Sequence, residues 1–97
     1  MKRFLIEVPH DKSTAACNHA IETFLRTGSH FLARADWGCK DQEHKAWLIV
    51  EVDSKHEALN IVPADFRKDA RIVELTTFTQ ANVDPSRQHA TGKSSRA

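Results

Sequence analysis

Cys39 and His44 stand five positions apart in the stretch DWGCKDQEHKAWLIVEV, Asp36 to Val52, on either side of a short polar turn. Thiolate and imidazole are ligands that zinc and similar transition ions favour, so this pair is where the chain comes closest to chemistry. His10 follows the first apolar segment, with Asp11 beside it, and Asp36 precedes the turn. If the fold brings His10 to the pair, three protein ligands and a water make an open metal site. The local spacing Cys-x4-His is not a zinc-finger pattern, and His10 joins by topology alone. The competing reading leaves Cys39 at the rim of the core and both histidines in solvent.

A second group is defined by alternation. His30, Arg34, Asp36, Trp47 and Glu51 share one face of the expected hairpin and can line a pocket for a small organic anion. The alternative is that these charges pair within an interface, as buried charges normally do. A cofactor-free enzyme would need His30 with Asp36, or Arg34 with Glu51, within hydrogen-bond reach. Cys17 lies on the apolar stripe of a helix and reads as a small buried thiol. There is no catalytic signature and no Gly-rich phosphate loop.

The elements that must position these residues follow from periodicity. RFLIEV alternates as a strand, with Phe4, Ile6 and Val8 on one side, and Pro9 stops it. Ser13 is the expected N-cap of a helix whose apolar residues Cys17, Ala20, Ile21, Phe24 and Leu25 form one stripe. Gly28 ends it in the position that wants a left-handed residue. HFLARADWG and KAWLIVEVD then form a hairpin in which Cys39 opposes His44. Ser54 and Glu57 make a capping box for a second helix, Pro63 interrupts it, and RIVELTTF is the last strand. Residues 1–79 form one domain, and residues 80–97, poor in large apolar side chains, form a tail expected to be disordered.

The order β-α-β-β-α-β predicts an α+β, ferredoxin-like domain: four antiparallel strands in the order 4-1-3-2, with both helices on one face. Phe31, Ala33, Ala35, Trp37, Ala46, Leu48, Val50 and Val52 are expected under the helices, beside Val73 and Leu75. The other face carries Leu5, Leu32, Trp47, Ile49 and Phe78 among charges, an apolar patch too large for a monomer to leave open. A second copy of the chain is its expected cover.

In element order and face pattern, residues 1–79 resemble the dimeric α+β barrel group, which includes muconolactone isomerases, YCII-related proteins and antibiotic-biosynthesis monooxygenases. The resemblance implies a homodimer packed sheet to sheet around a cavity; it carries no catalytic residue with it.

Composition narrows the functional classes. Fourteen Lys and Arg against 13 Asp and Glu leave a formal net charge of +1, which gives no electrostatic reason for a nucleic acid or an anionic membrane as partner. An RNA-binding βαββαβ domain would carry Gly and exposed aromatics on its third strand, where this chain has KAWLIVEV. The apolar run after Met1-Lys2-Arg3 is too short for a signal peptide, and no run is long enough to cross a membrane. Two cysteines make no disulfide framework and suit a reducing cytosol, so a cytoplasmic location is expected. Two functions fit: a homodimeric protein binding a small ligand or a metal such as zinc, or a cofactor-free isomerase or oxygenase-like enzyme using the open face.

Overall fold

The computed structural model describes residues 1–82. Its strands are β1 (Lys2–Pro9), β2 (Asp36–Trp37), β3 (Lys45–Val52) and β4 (Arg71–Leu75), and its helices are α1 (Thr14–Arg26), α2 (His30–Ala33) and α3 (Lys55–Ile61). The strands form one antiparallel sheet in the order β2-β3-β1-β4, which is the expected 4-1-3-2 read from the other edge.

Local signals placed both longer helices. The Ser13 hydroxyl accepts from the Ala16 N–H, and Gly28 closes α1 at φ +77°. Ser54 caps α3 by accepting from the Glu57 N–H, while the Glu57 carboxylate accepts from the Asp53 N–H, one residue earlier than a capping box requires. Pro63 ends the helix, and a 3-10 turn over Ala64–Asp69 leads into β4. The core is the inner face of β1 and β3 (Phe4, Ile6, Val8, Ala46, Leu48 and Val50) packed against Phe24, Leu32, Ala58 and Val62.

Two expectations are corrected. The segment from His30 is not a strand: Ser29 caps a helical turn by accepting from the Leu32 N–H, and only Asp36 and Trp37 pair with β3. The turn sends Leu32 into the core at 2% exposure and leaves Phe31 outside, the reverse of the alternating assignment. The two pairs that form, Asp36↔Trp47 and Trp37↔Ala46, nevertheless keep the expected register.

β4 presents the opposite face from the one expected. Ile72 lies opposite Ile6 and packs on the core, while Val73 and Leu75 lie opposite Leu5 and Arg3 on the open face. The apolar doublet Ile72-Val73 leaves the phase of the strand ambiguous. Ala70, packed against the core just before the strand, fixes it.

The described residues include the first three of the expected tail. Gln80–Asn82 form a 3-10 turn in which the Asn82 side chain accepts from the Thr79 N–H. The rest of the expected tail lies outside the described residues. No helix among the described residues is long and apolar enough to cross a membrane.

Candidate metal centre

His10 is the residue after β1, and its N–H donates to the His44 carbonyl at 3.0 Å. This bond continues the β1–β3 ladder one step past Pro9↔Lys45, so the two histidines are held side by side by backbone. Their rings lie 5.9 Å apart, centroid to centroid.

Cys39 arrives from the turn between β2 and β3. The expected opposition of Cys39 and His44 is replaced by a tighter arrangement: Cys39–Asp41 form a 3-10 turn, and Gln42 takes the left-handed conformation at φ +68°. The Gly38 carbonyl accepts from the N–H groups of Asp41 and Glu43, which folds the turn back on itself. A Cβ on Gly38 would stand 2.7 Å from the Trp47 ring and 2.8 Å from the Glu43 carbonyl oxygen, so only glycine fits beside the cysteine.

The three residues named from topology do converge. Ligand atoms of His10, Cys39 and His44 all lie within 4.8 Å of one another, and all three residues are half-buried. His10 Nε2 is 3.2 Å from Cys39 Sγ, and His10 Nδ1 is 2.8 Å from the Asp11 carbonyl oxygen. A carbonyl only accepts, so Nδ1 carries the proton and Nε2 turns its lone pair to the Cys39 sulfur. A backbone acceptor on the far nitrogen is the usual support of a metal-bound histidine. His44 Nδ1 is buried and has no hydrogen-bond partner, the kind of vacancy that a folded protein rarely leaves in a purely structural histidine.

A fourth residue touches one member of this group. The Cys17 thiol, one helical turn into α1, donates to Cys39 Sγ at 2.9 Å. Cys17 and Cys39 both line an open groove with Asn18, Ile21, Asp36 and Lys40. Reading Cys17 as a core thiol missed this, because helical periodicity reports the face a residue occupies and not what is packed on that face. The usable signal was the short link from His10 to Cys17, which holds both ends near one sheet edge. Burial pushes the Cys39 thiol up to about 11, and the neighbouring Cys17 thiol adds to the rise. Such a thiol stays protonated at neutral pH until something cationic compensates its charge.

The second group is divided. His30, Arg34 and Glu51 meet in a hollow beside the outer edge of β3, with Met1, Phe31 and Ile49. Asp36 instead lines the thiol groove. Trp47 donates from Nε1 to Glu7 at 3.1 Å, and Lys45 and Arg71 reach the same carboxylate at 3.6 and 3.9 Å. Neither His30 with Asp36 nor Arg34 with Glu51 forms a hydrogen bond or ion pair among the described residues.

No protein-family model matches the chain significantly, and neither does any curated protein or solved structure.

Proposed function

We propose that this chain is a metal-binding protein of ferredoxin-like βαββαβ build that takes zinc, or an ion of similar preference, through His10, Cys39 and His44. The observation that carries the reading is the convergence of two imidazoles and a thiol, from the end of β1 and from the β2–β3 connection, to within 4.8 Å. The unpartnered His44 Nδ1 and the proton on the far nitrogen of His10 support it. A tetrahedral zinc with bonds of about 2.0–2.3 Å separates its ligand atoms by about 3.3–3.8 Å, and the 3.2 Å between His10 and Cys39 is close to that range. The cost of exposing a raised-pKa thiol to ionisation is offset by the ion itself, which displaces the proton.

The second part of the reading is a cytoplasmic homodimer, built as a dimeric α+β barrel through the open sheet face. Leu5, Val73 and Leu75 meet there around Ile49, which is 59% exposed in the single chain. Glu7, already paired with Trp47, Lys45 and Arg71, can enter such an interface without an uncompensated charge.

Zinc titration of the reduced protein by calorimetry tests the metal site. One ion per chain should bind, and Cys39→Ser combined with His44→Ala should abolish it. If the wild type binds no more tightly than the double variant, the reading is wrong.

A further inference from the structure

We infer that Cys17 is the fourth ligand, so that the site is a closed Cys2His2 centre joining α1 to the β1–β3 edge of the sheet. The inference rests on the metal-binding reading above and assigns Cys17 a role that reading does not need.

The two sulfurs stand 2.9 Å apart, the separation of a thiol donating to a thiol. Two thiolates on one zinc stand about 3.8 Å apart, so α1 has to yield by about 0.9 Å at Cys17 to admit the ion between them. Cys17 must also close on the imidazoles, since it stands outside the group of ligand atoms that lie within 4.8 Å of one another. The proton chain points the same way: Cys17 donates to Cys39, Cys39 can donate only to His10 Nε2, and His10 Nδ1 donates to the Asp11 carbonyl. An ion entering at the centre replaces the first two hydrogen bonds, releases the two thiol protons and leaves the third in place. Two thiolates then neutralise the doubly charged ion, which the three-ligand arrangement with one thiolate does not.

The spacing has the economy of a structural site. His10 and Cys17 flank the short link between β1 and α1, while Cys39 and His44 flank the turn between β2 and β3. Each connection supplies one imidazole and one thiol, and the ion ties the two connections together. With four protein ligands no position is left for water or substrate, so this centre stabilises the fold or reports metal; it does not hydrolyse.

Cobalt substitution under reducing conditions reads the ligand set. Sulfur-to-cobalt charge-transfer absorption scales with the number of thiolates, so wild type should show a two-thiolate intensity with tetrahedral d–d bands. Cys17→Ser and Cys17→Ala should each lower the charge-transfer intensity to about half, and weaken zinc binding by about tenfold or more. Maleimide labelling of folded wild type, resolved by peptide mass, adds a readout that needs no variant: zinc should protect both cysteines. Cobalt bound with a one-thiolate spectrum, or zinc protecting Cys39 while Cys17 labels at its metal-free rate, overturns the Cys17 assignment and leaves the three-ligand site standing. Absence of binding by either ion overturns both.

Discussion

The Cys17 and Cys39 sulfurs lie 2.9 Å apart although the residues are 22 positions apart in sequence, one on a helix and the other in a hairpin turn. Neither is engaged in a disulfide. The contact makes the pair sensitive to oxidants as well as to metal. Diamide should take two electrons and two protons from the metal-free thiols, forming one intramolecular disulfide and the corresponding hydrazine. In zinc-loaded protein the same oxidation should release the ion, because a disulfide sulfur is a poor ligand. Mass spectrometry with a chromogenic zinc indicator checks both steps; an intermolecular disulfide as the main product would contradict the geometry.

Alkylation of Cys39 in the metal-free protein should be slow at neutral pH. A pKa raised from the ordinary 9.0 to about 11 cuts the thiolate fraction at pH 8 by about a hundredfold. The same shift fixes the sign of a stability effect. Below pH 9 both folded and unfolded thiols are protonated, and the fold loses nothing. Between pH 9 and about 11 the unfolded thiol ionises first, so stability falls as pH rises.

Gly38→Ala should destabilise the protein by about 1–3 kcal/mol, through a Cβ forced against the Trp47 ring and the Glu43 carbonyl. The turn that aims Cys39 would shift with it, so zinc affinity should fall as well. Thermal melts with and without zinc separate the two effects: zinc should raise the melting temperature of wild type more than that of the variant.

The open face makes a prediction about assembly. Ile49→Asp places a charge where the single chain is already exposed, so the folded protomer should keep its circular dichroism spectrum. In a dimer packed through this face the same charge is desolvated, and association should be lost. Sedimentation at micromolar concentration decides: dimer for wild type and monomer for the variant are expected, whereas a monomeric wild type removes the barrel reading.

The sequence by itself determined what depends on local chemistry. Ser13 and Ser54 cap their helices, Gly28 takes a positive φ, Pro63 ends α3, and the alternation of β1 and β3 sorts core from surface, because each depends on side chains within a few residues. Element order was enough to bring His10, Cys39 and His44 together, since three strand ends at one edge leave little freedom. Only tertiary packing decided the rest. Leu32 entered the core from a helical turn, because burying one large side chain outweighed the strand pairing that alternation favoured. Ala70 set the phase of β4, which the doublet Ile72-Val73 left open. Cys17 reached Cys39 because α1 packs beside the turn that carries Cys39, and where a helix settles follows from how all its contacts fit at once. Periodicity names the face of a helix; packing chooses the neighbour.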